Sequence, residues 1–525
     1  MKVLISDPLA AEGVAILREA GLDVIEQAGL APDALRQALA DCDALIVRSG
    51  TQVTGAVLEG ANRLKVIGRA GAGVDNIDVP AASRRGILVM NTPGGNTISA
   101  CELTMALMLA VARRIPQASA RVRAGDWPRK GLMGTELRGK RLGIIGLGRI
   151  GSEVARRALA FGMTVVGFDP YVTEERAKRL EVKLVSLDEL LATSDVVTLH
   201  TPKSQETERI LDAAALAKMK HGVILINCAR GGLIDEAALA EALKSGQVAG
   251  CGLDVFDTEP PKASPLLAFD QVVATPHLGA TTREAQTNVA IEIAHQVVEV
   301  LRGKPPRNAV NAPAVDPELL ELIGPYIDLC ERLGRLISQL AKGPISRLSV
   351  TYHGEMNTRD FRPLTTALLK GLLERTLTRL VNYVNAPLIA AERGIAVNVT
   401  ESSELEDFTN LIAVEARTGA ATFSVAATLF SRHLPRIVRL DSYHVDVAPE
   451  GHLLVIRNQD RPGAVAHVSA VLARRGVNIA DMTCGRDRPG GTAMLVISID
   501  NAVAPEVLRE IESSPIILRA QLVSL

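Results

Sequence analysis

The chain is poor in aromatic residues: Phe, Trp and Tyr together make 3% of 525 residues, with a single Trp. That excludes stacking platforms for bases and rings as its main device. It has no excess of either charge, 58 Lys and Arg against 59 Asp and Glu, so nothing favours a polyanion partner such as nucleic acid. Its six cysteines (Cys42, Cys101, Cys228, Cys251, Cys330, Cys484) show no CxxC spacing, so neither a disulfide framework nor a metal site is expected. They read as reduced thiols of a cytoplasmic protein. No apolar run approaches the ~18 residues of a membrane span. The opening MKVLISDPLA is too short an apolar run for a signal peptide and ends in a turn.

What is present is aliphatic residues and glycine. Hydrophobic residues reach 47% and glycines number 43, a profile of aliphatic α/β packing with many tight turns. The length is too great for one core and implies three to four domains. Apolar strands alternate with helical patterns over the first ninety residues (KVLISD, DVIEQ, ALIVRS, KVIGRAG), which predicts a parallel sheet. The run SACELTMALMLAVARRI (99–115) reads as one long helix buried between domains. A second alternating set, from KRLGIIGLGRIG (140–151) to VVATPH (272–277), completes a doubly wound domain. The helical segment 282–304 lies beyond that sheet and would carry the chain back to the first domain. The predicted division is 1–96 with 284–312, then 97–283, 315–450 and 452–525. The third region reads as α+β, with a hairpin over 411–430 turning at Thr418–Gly419. The last follows the βαββαβ order of a ferredoxin-like plait.

Gly146-Leu-Gly148-Arg149-Ile150-Gly151 matches GxGxxG, a weak signal alone. Here it follows strand RLGII and opens helix SEVARRALAF. The first glycine makes the turn, Gly148 lets backbone approach a pyrophosphate, and Gly151 lets helix and strand pack. Asp169 ends the next strand, 18 residues past Gly151. Its carboxylate would accept from a ribose 2′-OH and repel a 2′-phosphate, which points to NAD over NADP.

Ligands of open α/β sheets sit at the carboxyl ends of strands. Three such ends carry polar residues: Arg230 after VILINCA, Glu259 after GLDVFDT and His277 after VVATP. Oxidation of an alcohol needs a base for the hydroxyl proton, and imidazole suits that near neutral pH. A guanidinium orients a substrate carboxylate bidentately, and a carboxylate beside the imidazole fixes its tautomer. Singly, Glu259 would pass for a loop acid; downstream of a dinucleotide loop, the three together favour a catalytic reading. Asp254 is a candidate acceptor for the nicotinamide carboxamide.

The segments LGIIGLGRIG, NCARGGLIDE, GLDVFDTEPP and TPHLGATTREA resemble the D-isomer-specific 2-hydroxyacid dehydrogenase family, over residues 1 to about 310. The resemblance implies two Rossmann-like doubly wound lobes with the active site between them and NAD as cofactor. It assigns Arg230, Glu259 and His277 as catalytic. Cofactor contacts fall on Gly146, Gly148, Arg149, Ile150, Gly151, Asp169, Thr201, Cys228, Ala229, Arg230, Asp254, His277, Gly279 and Ala280. VIGRAGAGVDNID (66–78) and NTPGGNTISACELT (91–104) are most similar to the branch that oxidises 3-phospho-D-glycerate to 3-phosphooxypyruvate, the first step of L-serine biosynthesis. A phosphorylated substrate needs further cations. Arg48 and Arg69 end strands of the first lobe and, with Asn96, are the expected substrate contacts, the N–H groups of Gly73 and Val74 meeting the carboxylate.

Residues 452–525 resemble an ACT domain, a small regulatory plait that binds amino acids; the segment is NQDRPGAVAHVSAVLARRGVNIADM. Asn458, Asp460 and Asn478 are its expected effector contacts at a domain–domain interface, with L-serine the implied effector. Asn458 stands where some members carry histidine. Residues 315–450 look like the intervening domain of long members. There Arg432, His433, Arg436 and Arg439 form a basic run open to two readings, an anion site or a solvated charged turn. The resemblance implies a homotetramer. Two alternatives stay open: a glyoxylate or hydroxypyruvate reductase of the same family, and a non-enzymatic NAD-sensing corepressor.

Overall fold

The computed structural model describes residues 1–127, 130–304, 306–313, 317–341, 343–354, 360–375, 377, 380–402, 408–419, 421–431 and 433–525. Five short strands open the chain: β1 (Lys2–Ile5), β2 (Asp23–Glu26), β3 (Ala44–Val47), β4 (Val66–Arg69) and β5 (Leu88–Asn91). They form one parallel sheet in the order β2-β1-β3-β4-β5. β3 is buried at every position, as a parallel strand covered on both faces must be.

The second sheet holds seven parallel strands: β6 (Arg141–Ile145), β7 (Thr164–Phe168), β8 (Lys183–Leu184), β9 (Val196–Leu199), β10 (Val223–Asn227), β11 (Val248–Leu253) and β12 (Val272–Ala274). Their order is β12-β11-β10-β9-β6-β7-β8, so winding reverses between β9 and β6. Helix Thr97–Ala112 lies on this sheet: a Cβ at Gly252 would stand 2.9 Å from Leu107, and one at Gly250 would stand 2.9 Å from Val111. The single helix expected over 99–115 is in fact two. It stops at Ala112, Arg114 turns left-handed at φ 50°, and a new helix, Ile115–Arg123, begins with Pro116 in its first turn. Proline has no N–H to continue the preceding helix.

Helix Arg283–Leu301 returns to the first sheet. Val289, Ile293, Ala294 and Val297 share a core with Val3, Ile5 and Ile46. Gly68 of β4 lets it approach, since a Cβ there would meet Ile293 at 2.8 Å.

A six-stranded mixed sheet follows: β13 (Ile345–Gly354), β14 (Ala396–Ser402), β15 (Asn410–Thr418), β16 (Thr422–Phe430), β17 (Leu434–Leu440) and β18 (Tyr443–Val447), in the order β14-β13-β15-β16-β17-β18. Helices Pro317–Leu340 and Arg362–Leu373 cover it. The last sheet contains β19 (His452–Gln459), β20 (Ile479–Arg486), β21 (Thr492–Ile499) and β22 (Ile517–Ser524), in the order β20-β21-β19-β22. With helices Ala464–Arg474 and Pro505–Glu512 this is the expected βαββαβ plait. Its two faces differ in partner. Leu454, Ile456, Leu495 and Ile497 pack under its own helices. Leu453, Val455, Met494, Val496 and Val523 join the core of the preceding six-stranded domain, with Leu336, Ile337 and Tyr352.

Among the described residues, no helix is long and apolar enough to cross a membrane, and no group of three His, Cys, Asp or Glu is arranged to hold a metal. All six cysteines are free.

Candidate active site

The glycine loop lies where the winding of the second sheet reverses. Gly146 has φ 95°, and a Cβ there would stand 2.7 Å from the carbonyl oxygen of His200 on the neighbouring strand end. At Gly151 a Cβ would meet the Gly146 carbonyl at 2.0 Å and Ile144 at 3.3 Å, so only glycine lets helix Arg149–Ala160 start this close to β6. Gly148 differs, because nothing lies within 4 Å of a Cβ built there. The N-terminal amides of that helix thus face open space, as an anion cradle requires. Asp169 accepts from the N–H of Leu147 at 2.8 Å and from that of Tyr171 at 2.8 Å, which holds its carboxylate against the loop. The Thr201 hydroxyl, at the end of β9, is buried and has no protein partner.

β10 delivers Arg230. Asn227 builds the turn: its side-chain oxygen accepts from the Ala229 N–H at 3.0 Å and its amide donates to the Arg230 carbonyl at 2.8 Å. Sequence reading passed over Asn227; an asparagine at a strand end before two glycines is the signal that was there. Gly231 passes so near the next strand end that a Cβ would stand 1.9 Å from the Phe256 carbonyl. The Arg230 side chain crosses between lobes, its Nε donating to Asp75 at 3.0 Å.

The Glu259 carboxylate receives His277 Nδ1 at 2.8 Å. Its other oxygen accepts the Phe256 N–H at 3.2 Å. With Nδ1 protonated and donating to Glu259, Nε2 keeps its lone pair. His277 has φ 54°, a left-handed conformation rare outside glycine and asparagine. Asp254 enforces it. This carboxylate is 1% exposed and accepts from the Thr275 hydroxyl and the Leu278 N–H at 2.6 Å each, and from the Gly279 N–H at 2.8 Å. Its observed contacts anchor the 275–279 loop. Gly279 lies close to Cys228 and Ala100, and Ala280 is tied to Gln286 at 2.7 Å. Burial pushes the Cys228 thiol up to about 12, which removes it as a nucleophile.

The first lobe contributes cations. Arg69 ends β4 and is largely buried; its Nε has no partner, and burial, then the charges of Arg230 and Arg48, pull its pKa down to about 10. Arg69 thus has both Arg48 and Arg230 as charged neighbours, and it stays charged at neutral pH. Asn76, unremarked in the sequence, donates to the carbonyls of Arg48 at 2.7 Å and Thr51 at 2.6 Å and fixes that turn. At Gly73 a Cβ would stand 2.2 Å from Arg230 Nη2, so this loop must be bare where it faces the arginine. Val74 packs into the first-lobe core while its carbonyl accepts from Ile77. Asn96 precedes helix Thr97–Ala112 with Oδ1 buried and unpartnered, as is the Thr97 hydroxyl, which sequence reading missed. Arg149, the first residue of its helix, lies near enough to Glu292 to act on its charge, and Ile150 packs into the second-lobe core.

The regulatory candidates do not converge within one chain. Asn458 is 4% exposed on β19, and Asp460 accepts from Gly490 at 3.0 Å beside Arg486. Asn478 binds Asp500 at 2.9 Å before β20. Asn458 pairs with Ala493 and Ile479 with Ile499, so Asn478 sits at the opposite end of the sheet, roughly 20 Å away at the usual rise per strand residue. Of the basic run, Arg432 lies outside the described residues. The rest is mostly strand, not turn: Arg436 and Arg439 are on β17, and Arg436 faces Asp446 at 3.6 Å, while His433 precedes it.

Comparison with known proteins gives the family. Residues 105–279 match the model of the D-isomer specific 2-hydroxyacid dehydrogenase NAD binding domain, 322–441 that of the D-3-phosphoglycerate dehydrogenase intervening domain, and 452–515 that of the ACT domain. The D-3-phosphoglycerate dehydrogenase of Archaeoglobus fulgidus is 44% identical over all of both chains. That of Bacillus subtilis is 43% identical over 100% of this chain and 99% of its own. The chain belongs to the D-3-phosphoglycerate dehydrogenase branch of the D-isomer specific 2-hydroxyacid dehydrogenase family. Among solved structures of the wider family, the D-lactate dehydrogenase of Aquifex aeolicus complexed with NAD and lactic acid is 31% identical, covering 60% of this chain and 100% of its own at a TM-score of 0.54. The part covered matches the two parallel-sheet lobes in extent; the second is an NAD-binding domain of this family.

Proposed function

We propose that the protein oxidises 3-phospho-D-glycerate to 3-phosphooxypyruvate with NAD, the first step of L-serine biosynthesis. The observation that carries this is the His277–Glu259 pair at 2.8 Å, on the same sheet edge as Arg230 and opposite Arg48 and Arg69. His277 Nε2 takes the C2 hydroxyl proton, and the carboxylate of Glu259 stabilises the imidazolium that results. Arg230 orients the substrate carboxylate and C2 oxygen, and must exchange Asp75 for them. Arg48 and Arg69, with Asn96, hold the phosphate; the bare amides of Gly73 and Val74 lie beside the carboxylate. The cofactor chemistry, a hydride acceptor for C2, would be supplied by NAD when bound. The open cradle at Gly148, the free Thr201 hydroxyl and the Asp169 carboxylate suit its pyrophosphate, nicotinamide side and ribose in turn. Arg149, Ile150, Cys228, Ala229, Gly279 and Ala280 line the rest of that path.

The substrate-binding unit in this reading is 1–96 with 284–312, and the cofactor-binding unit 97–283; the return of helix Arg283–Leu301 to the first sheet supports that division. The regulatory part is 315–450 and 452–525. An amino acid, L-serine, is the proposed effector of the ACT domain. Because Asn478 stands far from Asn458 and Asp460 in one chain, a site using all three needs a second copy, which favours an oligomer, proposed as a homotetramer. The proposed compartment is the cytoplasm.

The test measures NADH formation from 3-phosphoglycerate and from unphosphorylated glycerate, with and without serine, in the native protein and in Arg230→Ala. The reading requires a strong preference for the phosphorylated acid and loss of turnover in the variant. Equal rates with glycerate would favour a reductase of the same family.

A further inference from the structure

Asp7 takes no part in the proton or hydride steps, yet it is a carboxylate only 8% exposed, two residues past β1. A buried carboxylate is costly unless hydrogen bonds meet it. One of its oxygens, Oδ2, accepts two backbone N–H groups, that of Arg48 at 2.6 Å and that of Thr51 at 3.1 Å. β1 and β3 are neighbours in the first sheet, with Ile5 paired to Ile46, so Asp7 arrives beside the strand end that carries Arg48. The Asn76 amide takes the other half of the same turn, the carbonyls of Arg48 and Thr51. Two side chains from separate segments thus hold both N–H and both C=O groups of Arg48 and Thr51. The Thr51 hydroxyl adds a further tie, donating to the Ser6 carbonyl at 3.2 Å. Gly50 completes the fit: a Cβ there would stand 2.6 Å from the other Asp7 oxygen, so the turn closes on the carboxylate only because it is bare.

The reason for so tight a hold lies in the Arg48 side chain. Among the described residues, its guanidinium makes one hydrogen bond, from Nη1 to the carbonyl of Pro8 at 3.4 Å, and Pro8 follows Asp7 in the chain. The aim of Arg48 is therefore set by its own backbone and by Pro8, and Asp7 places both. Arg48 lies one residue past β3, whose Val47 pairs with Arg69 on β4. A shift of the turn would move one cation of the first lobe relative to the other. The Asp7 bonds run to amides and not to a guanidinium, so an asparagine oxygen in the same place would keep them.

We propose that Asp7 is a positioning residue for recognition of the phosphoryl group: with Asn76 it sets the Arg48 turn so that Arg48 and Arg69 meet the substrate phosphate together. This rests on the proposed function, which gives those two arginines the phosphate. A displaced Arg48 loses charge-assisted bonds made equally to substrate and transition state, so the loss falls on KM and not on kcat.

The test compares Asp7→Ala, Asp7→Asn and Arg48→Ala in the full chain, by steady-state NADH formation from 3-phosphoglycerate and from D-glycerate. Asp7→Ala should raise KM for 3-phosphoglycerate by about ten-fold, keep kcat within about two-fold and leave kcat/KM for D-glycerate unchanged. Asp7→Asn should keep KM near the native value. A merely structural role would lower the active fraction, and with it kcat for both substrates, at unchanged KM. That outcome overturns the proposal, as does a native KM in Asp7→Ala or an equal rise of KM in Asp7→Asn and Asp7→Ala. Arg48→Ala separates the proposal from the reading beneath it. Loss of preference for the phosphorylated acid in Arg48→Ala, beside native kinetics in Asp7→Ala, overturns the proposal alone. Native preference in Arg48→Ala overturns the phosphate role of Arg48 and the proposal with it.

Discussion

The cleft between the two parallel-sheet lobes and the seam between the last two domains are both interfaces, built on opposite principles. The cleft is lined by Arg48, Arg69, Arg230, Glu259 and His277, and a side-chain ion pair, Arg230–Asp75, spans it. The seam is a shared apolar core, with Leu453, Val455, Val496 and Val523 merging into that of the intervening domain. Few polar stitches accompany it, among them Gln339 with the backbone of Ser524 at 3.1 Å in both directions. An exposed ion pair contributes little and exchanges readily for substrate. Buried aliphatic area, at about 25 cal/mol per Å², makes the two regulatory domains move as one. Under the proposed function, the lobes are therefore free to open and close on substrate, and an effector on the ACT domain would act on the intervening domain as a single body.

The comparison breaks most visibly if chemistry and stability are separable in the cleft. His277→Ala removes the base without touching a core, so kcat should fall by about 10²–10⁴-fold with the thermal midpoint nearly unchanged. Steady-state NADH formation beside a calorimetric scan checks both halves. A comparable loss of stability would mean that the His277–Glu259 pair holds the fold rather than the reaction.

Leu453→Ala should do the reverse. Leu453 is 1% exposed and sits in the shared core. Truncation there should cost about 2–5 kcal/mol. Both C-terminal domains should lose stability together, in one transition followed by denaturant titration, with kcat for the phosphorylated substrate preserved. Two separate transitions, only the later segment shifted, would show that the seam is a contact between independent units.

The cleft was far more legible in the sequence than the seam. Gly146 and Gly151 announce their task because only glycine fits those backbones, Gly148 leaves the loop bare where it faces open space, and Arg230, Glu259 and His277 stand out as polar residues ending apolar strands. What escaped there was support: Asn227, Asn76 and Thr97, whose types are common in any turn. In the C-terminal half, β14 was missed because AVNVTES is an edge strand with little of it buried, so no clean alternation marks an inner face. β17 was not read as a strand, its basic run being left open between an anion site and a charged turn, because Arg436 and Arg439 mask its apolar positions. The merger of two cores was invisible, since a plait with apolar residues on both sides of its strands reads the same whether the second face meets another copy or another domain.

Asp169→Ala sharpens the cofactor side of the cleft. Removing the carboxylate should raise the relative use of NADP by about ten-fold, measured as the ratio of kcat/KM for NADP to that for NAD. An unchanged ratio would leave Asp169 only its bonds to the Leu147 and Tyr171 amides.

The smallest effect concerns acid. Asp195, at the start of β9 and far from the catalytic strand ends, is held by the Arg141 N–H at 2.8 Å and by Lys220. Burial pushes its carboxyl up, but those two partners outweigh burial and keep it below the ordinary aspartate range. A carboxyl lowered on folding contributes stability that is present above its unfolded pKa, about 3.9, and lost as pH falls through the folded value. Asp195→Asn should therefore remove part of the acid sensitivity of the second lobe below about pH 4, by less than about 1 kcal/mol for a partly exposed pair. The C-terminal half carries lowered carboxylates of its own, Glu331 beside Arg335 and Lys370 among them, so acid weakens both halves. Unfolding of the native chain and of Asp195→Asn followed from pH 7 downward should show the variant losing less stability in acid, and an equal loss in both would leave Asp195 no share in it.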